Sequence, residues 1–369
     1  MKKVLSFLTF FAVVVILGAL TASSVLAQDA PRAQRKIQLS AADDAAAAEA
    51  TVDYGHALPA KTDAGAAFRH GDQSSLASRA AGRSDRSSDD FNHGEGEERD
   101  RLRFPGDLSF FGGPTVPFAQ SHPIFLASPD GTTCPANTCW GDPDTFLGDF
   151  GRSGLSHVTD QYVGQVADNR YTLGDEFLLP FTPVATPLID ANIRAIVHAA
   201  AVLSGEFGIN HEFHVFLPPG QDECFSAAFT TCYSPDNPGS FAFCAYHSSV
   251  RFKDVGLVLY SVEPFQNVPG CNVRPGTVNG QLIDSTNSTL SHELIETITD
   301  PRGNAWFNFT DNGLAGEEIG DECQLITILQ VAPNQLAVFG DPIEFRVGRH
   351  RFATQPEYSN EDHACAIRP

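Results

Sequence analysis

Positive charge is what this chain has least of: 24 Lys and Arg stand against 45 Asp and Glu, for a formal net charge of −21. A body so acidic is repelled by a phosphate backbone and by anionic lipid, which argues against nucleic acid and a charged membrane as partners. No Cys-x-x-Cys occurs among the eight cysteines, so neither a zinc ribbon nor a thioredoxin-like pair is expected. Gly151-Arg-Ser-Gly-Leu155 falls short of Gly-x-Ser-x-Gly, and no Gly-rich phosphate loop is present. Asp142, Asp144 and Asp149 miss the EF-hand spacing; Asp-Pro-Asp reads instead as a helix start. Beyond Leu20 no apolar run approaches membrane length.

What is there begins with an export signal. Lys2 and Lys3 precede a nearly unbroken apolar run over residues 4–20, and Val25-Leu26-Ala27 offers a small-residue cleavage site. Residues 1–27 therefore read as a signal peptide, and the mature chain is expected to be secreted, extracellular or periplasmic, with no membrane span. Its removal takes two lysines and no acids, moving the formal charge from −21 to −23. Residues 28–104 are poor in large apolar side chains: 41–50 is Ala/Asp-rich and 74–103 is dominated by Ser, Arg, Asp, Glu and Gly. Such a stretch buries too little surface to offset the entropy of ordering it, so it reads as a disordered linker or propeptide. Residues 105–369 have the composition of a globular domain.

An even number of cysteines in an exported chain reads as disulfides. Cys134 and Cys139 are close enough to staple a local loop, and Cys323 with Cys365 would fasten the C-terminal tail. The pairing of Cys224, Cys232, Cys244 and Cys271 stays open.

Residues 122–127 read as a buried strand, and 143–162 should contain a helix started by Asp142 or Asp144. Residues 190–203 carry helical periodicity through Ile193, Ile196, Val197 and Ala200, with His198 at the core or its boundary. Strands are expected at 211–217, 241–250, 255–262, 336–339 and 343–347, with a further short strand running through Leu329. His211 and His214, three apart on one strand, face opposite sides and make a poor chelating pair.

The densest chemistry is Ser291-His-Glu-Leu-Ile-Glu-Thr-Ile-Thr-Asp-Pro301, followed by Gly316-Glu-Glu-Ile-Gly-Asp321. At about 100° per residue, Leu290, Leu294, Ile295 and Ile298 share one side of a helix, and His292, Glu293, Glu296 and Asp300 the other. Ser288, Thr289 or Ser291 would cap that helix, and Pro301 would end it. A His and a carboxylate at i and i+4 can share one metal ion. His292 and Glu296 are thus candidate ligands, Glu318 the candidate third, with Glu317 and Asp321 competing for its place. Glu293 sits where a metallopeptidase keeps its general base. His247 and Asp300 are further candidates for the site. The plain alternative is a charged outer face on an amphipathic helix.

These motifs, with His211-Glu-Phe-His-Val-Phe-Leu217, Cys244-Ala-Tyr-His-Ser-Ser249, Ala305-Trp306 and Glu318-Ile-Gly-Asp-Glu-Cys323 in order, resemble bacterial secreted relatives of the phosphate-induced (EXORDIUM-like) proteins. The likeness spans residues 114–365. It implies an extracellular or cell-wall-associated protein of a family with no settled activity, many of whose members lack the His-Glu pair. Asn308 departs from the Asp that related sequences tend to place after the Trp and its aromatic neighbour.

The sequence leads to a disulfide-stabilised α+β fold, with a zincin-like mixed sheet and a metal-motif helix. The expected function is a zinc-dependent hydrolase (another divalent metal being the alternative ion) acting on a peptide or cell-wall amide. The rival is a non-catalytic extracellular binding or signalling protein.

Overall fold

A computed structural model describes residues 34–67, 106–127, 139–180, 187–309, 316–325, 328–330, 336–338 and 342–369. The expected signal peptide lies outside them. The fold is α+β, built on one mixed sheet. Its strands are β1 (Arg35–Lys36), β2 (Thr51–Pro59), β3 (Ala119–Leu126), β4 (Tyr171–Leu173), β5 (Phe177–Leu179), β6 (His211–Phe216), β7 (Phe243–Phe252) and β8 (Gly256–Glu263). They run in the order β1-β5-β3-β6-β8-β7-β2, with β4 also on β3. The pairings from β1 to β8 are parallel, while β7 and β2 are antiparallel.

Alternation along these strands splits the apolar residues into two cores. Ile124, Leu126, Phe213, Val215, Val258, Tyr260 and Val262 face helix α3 (Asp190–Ser204). Phe125, Phe216 and Leu259 face the other way, toward helices α2 (Pro143–Phe150) and α4 (Gln281–Thr299). The register then sets a polar row on this second face: His247 of β7 pairs with Ser261 of β8, and Ser261 with His214 of β6. The row forms a polar floor beneath α4.

Asp142 caps α2, its carboxylate accepting the Thr145 N–H at 3.3 Å. The helix stops at Gly151, and two single turns, Gly154–His157 and Asp160–Val163, follow it in the stretch expected to contain a helix. Disulfides join Cys224–Cys232, Cys244–Cys271 and Cys323–Cys365. Cys139 is also disulfide-bonded; Cys134 lies outside the described residues. Among the described residues no helix is long and apolar enough to cross a membrane.

Two expectations are corrected. Residues 34–67 are not a disordered linker: β2 is the edge strand on β7, and helix α1 (Ala41–Glu49) packs on α3. Composition misleads there because small apolar residues such as Ala46 and Ala47 suffice where polar bonds to the neighbouring helix add to the packing. His198 joins Asp43 Oδ1 at 2.7 Å, and Arg194 donates to the Ala47 carbonyl at 2.7 Å. Residues 68–105 lie outside the described residues.

The second correction is the start of α4, at Gln281 rather than near Ser288. The run Asp284-Ser-Thr-Asn-Ser-Thr289 reads as cap and turn because hydroxyls compete with helical hydrogen bonds. Here they bond back inside the helix, Ser285 to the Gln281 carbonyl at 2.5 Å and Thr286 to Leu282 at 3.2 Å. Every residue from Asp284 to Thr299 is buried, which removes the reading of an exposed charged face.

Candidate metal centre

Helix α4 turns Leu290, Leu294, Ile295 and Ile298 into the second apolar core and lays His292, Glu293 and Glu296 over the polar floor. Across from them, β7 supplies His247. Behind α4, the first turn of helix α5 (Ile319–Leu325) brings Glu318 and Asp321. The structure thus gathers His292, Glu293, Glu296, Glu318, Asp321, His247 and Asp300, none more than 2 % exposed.

His292 Nε2 lies 3.1 Å from Glu296 Oε1 and 3.7 Å from Asp321 Oδ1. The Asp321 backbone N–H donates to the same Glu296 oxygen at 3.2 Å. His247 Nδ1 lies 3.4 Å from Glu293 Oε2 and 3.5 Å from Glu296 Oε2, while its Nε2 is 3.6 Å from Glu318 Oε2. Two groups, His292-Glu293-Glu296 and His247-Glu296-Glu318, each place three donor atoms within 4.8 Å of one another.

Gly320 explains the glycine of the Glu-Ile-Gly-Asp motif. A Cβ there would lie 2.4 Å from His292 Nδ1, so only glycine lets α5 approach the ring. Gln355 was not anticipated. Its amide nitrogen donates to His292 Nδ1 at 2.8 Å and to the Gly320 carbonyl at 3.1 Å, while Gln324 donates to its oxygen. In this arrangement His292 carries its proton on Nε2; ligation through Nε2 requires the Gln355 amide to turn its oxygen toward Nδ1. His247 is already set the other way, Nε2–H donating to the Asp300 carbonyl at 3.3 Å.

Asp300 anchors a turn with one carboxylate oxygen, while the other, Oδ2, is buried without a hydrogen bond among the described residues. Its Oδ1 accepts the N–H groups of Asn304 at 2.6 Å and Ala305 at 2.8 Å. Glu317 takes part through its backbone, its carbonyl accepting the Asn308 N–H at 2.8 Å. The sequence reading also missed the acids behind the centre: Glu212, Glu263 and Glu357, all buried. Acidic residues inside otherwise apolar strands were the signal that could have found the first two.

Burial, reinforced by neighbouring carboxylates, pushes Glu293 and Glu318 well above the usual carboxylate range. Burial also raises Glu212 and Glu357 well above it, and Asp300 and Glu263 to about 7. Glu296 is the exception: against its burial, His292 and His247 hold it below the usual range. Glu296 is thus the ionised member, and the one carboxylate that touches both imidazoles.

Among the described residues, the basic side chains within ion-pair distance of Glu212, Glu293, Glu296 and Glu318 are all histidines. Both oxygens of Glu293, Oε2 of Glu296, Oε2 of Glu318 and Nδ1 of His247 make no hydrogen bond among those residues. Buried polar atoms are almost always satisfied, and so many converging donors of mixed N and O type fit a divalent cation.

Comparison with protein-family models, curated proteins and solved structures finds no match.

A second group lies elsewhere, joining His122, Glu206 and His211. His122 Nε2 is 3.1 Å from His211 Nδ1, and burial, followed by His211, lowers His122 to about 4. His214, on the opposite face of β6, bonds Ser261 Oγ at 2.9 Å. The two histidines of this strand thus serve different neighbourhoods.

Proposed function

We propose that this chain is an exported zinc-dependent hydrolase of peptide or cell-wall amide bonds, with a zincin-like centre held in a closed form. One observation carries the reading: Glu293, adjacent to His292, has both carboxylate oxygens buried beside the His292–Glu296 pair without a hydrogen bond among the described residues. A base poised for proton transfer needs unoccupied oxygens and a raised pKa, and Glu293 has both.

His292, Glu296 and Glu318 would hold the ion, and the carboxylate-rich donor set suits zinc or a harder ion such as manganese. When bound, the ion would polarise a carbonyl and acidify water. Glu293 would accept a proton from the water attacking the amide carbon and return it to the departing nitrogen. Water is thereby added across the C–N bond. Asp300 would position His247 through its carbonyl, and Gln355, with its amide oxygen turned toward Nδ1, would leave His292 Nε2 free for the ion. A substrate reaches these groups only when a covering segment moves. Strand β2 is one such cover: a Cβ on Gly55 would lie 2.1 Å from His247 Nε2.

The test is Glu293→Gln on the purified exported chain, with metal content measured beside hydrolysis of peptide and peptidoglycan-derived amides. The expected result is unchanged metal content and a loss of at least about 100-fold in turnover. Equal turnover in variant and wild type would rule the mechanism out.

A second reading is favoured by the complete burial of the centre. In it the ion is structural, and the chain is a non-catalytic, extracellular binding protein of the kind the EXORDIUM-like resemblance implies. Metal retained without turnover on any amide, before and after limited proteolysis, would decide for it.

A further inference from the structure

We propose that the centre holds two divalent cations bridged by the Glu296 carboxylate. The inference rests on the metal-centre reading above. The two oxygens of Glu296 face different imidazoles: Oε1 is 3.1 Å from His292 Nε2, and Oε2 is 3.5 Å from His247 Nδ1. Each imidazole heads its own group of three donors, and Glu296 is the member the groups share. The first position takes His292 Nε2 and Glu296 Oε1, with Asp321 Oδ1 at 3.7 Å from the imidazole nitrogen. The second takes His247 Nδ1 and Glu296 Oε2, with Glu293 Oε2 3.4 Å from Nδ1 on the same side; Glu318 belongs to the same group of donors, its Oε2 lying 3.6 Å from the other ring nitrogen. Metal–ligand bonds of about 2.0–2.2 Å place neighbouring donors roughly 3–3.7 Å apart, which matches these spacings.

His247 supplies the independent observation. It is fully buried, and its Nε2–H is committed to the Asp300 carbonyl at 3.3 Å. Its Nδ1 faces two carboxylate oxygens, Glu293 Oε2 and Glu296 Oε2, and makes no hydrogen bond among the described residues. A cation seated between the ring nitrogen and these oxygens satisfies all three. A backbone carbonyl fixing the far ring nitrogen is how proteins orient a ligating histidine.

Charge points the same way. Glu212, Glu263, Glu293, Glu296, Glu318 and Glu357 are all buried around these two histidines. Carboxylates at this density can ligate as anions only beside enough positive charge, and two divalent ions about 3.5–4 Å apart, the spacing of carboxylate-bridged pairs, would supply twice the charge of one. Mixed imidazole and carboxylate donors suit zinc or manganese at both positions.

The experiment uses the full exported chain, stripped with chelator, reloaded with Zn²⁺, desalted and measured by elemental mass spectrometry. About two zinc ions per chain are expected, falling to about one in His247→Asn. The wild-type chain loaded with Mn²⁺ should give the exchange-coupled, multi-line electron paramagnetic resonance signal of a pair. That arm needs no variant, so misfolding of His247→Asn cannot obscure the outcome. One ion per chain with an uncoupled six-line manganese signal would overturn the second position and leave the single-ion reading standing. No ion at all would overturn both. A count of two that persists in folded His247→Asn would place the second ion elsewhere and also overturn the proposal.

Discussion

Asp190 shows how this protein treats a buried charge that it does satisfy. Its carboxylate accepts hydrogen bonds from Tyr54 at 3.0 Å, Tyr246 at 3.1 Å and Tyr260 at 2.7 Å, and pairs with Arg194 Nε at 2.9 Å. Asp190→Ala would leave those groups without their acceptor and should cost about 3–5 kcal/mol, read from urea unfolding. A loss under about 1 kcal/mol would contradict that role. Among the described residues, neither carboxylate oxygen of Glu293 makes a hydrogen bond, and that contrast supports the proposed reading of these acids as a site. Gly320 gives a second residue-scale prediction. Gly320→Ala should displace the His292 ring and weaken zinc binding by roughly 10-fold or more at unchanged secondary structure, measured by competition with a chelating dye. The His292–Glu296 pair was legible in the sequence because i, i+4 spacing is local. Glu212, Glu263, Gln355 and Glu357 were not, because their approach depends on strand register and on a C-terminal segment far away in the chain.

At the scale of the element, α4 and the α1–β2 unit carry the lessons. The end of α4 was readable from Pro301, whereas its start was not, since Ser and Thr signal a cap unless their hydroxyls bond back within the helix. The α1–β2 unit was hidden by composition, and polar bonds add to its strand pairing and apolar packing. His198 bridges Asp43 at 2.7 Å and Asp254 at 3.0 Å. Against its burial, hydrogen bonds from Ser40 and His198 hold Asp43 below its ordinary 3.8, and the His198 bond does the same for Asp254. A depressed carboxylate stabilises the fold above its ordinary pKa and ceases to as pH falls through the folded value. Amide protection of Ala41–Glu49 should therefore be lost below about pH 3.8, ahead of α4 and the central strands. Simultaneous loss in all elements would contradict this.

For the whole molecule, the mixed sheet and the disulfide bonding were legible from strand alternation and cysteine parity, and the buried acids of the centre make stability depend on pH. Glu212, Glu293, Glu318 and Glu357 are raised above their ordinary 4.5, chiefly by burial. The unfolded chain releases these protons near pH 4.5 while the folded chain keeps them, so the metal-free protein loses stability as pH rises above that value. Its melting temperature should fall from pH 5 to pH 8, and the rise on adding zinc should grow over the same range, because binding displaces protons. A zinc effect independent of pH would count against coupling between these acids and the ion. The most direct test of a buried metal centre is an anomalous difference map from crystals of the zinc-loaded chain, collected at the zinc edge. The account predicts density about 2.0–2.2 Å from the Glu296 carboxylate, on the His292 side and again on the His247 side. A map without anomalous density beside Glu296, with its oxygens hydrogen-bonded to water or to protonated histidines, would contradict it.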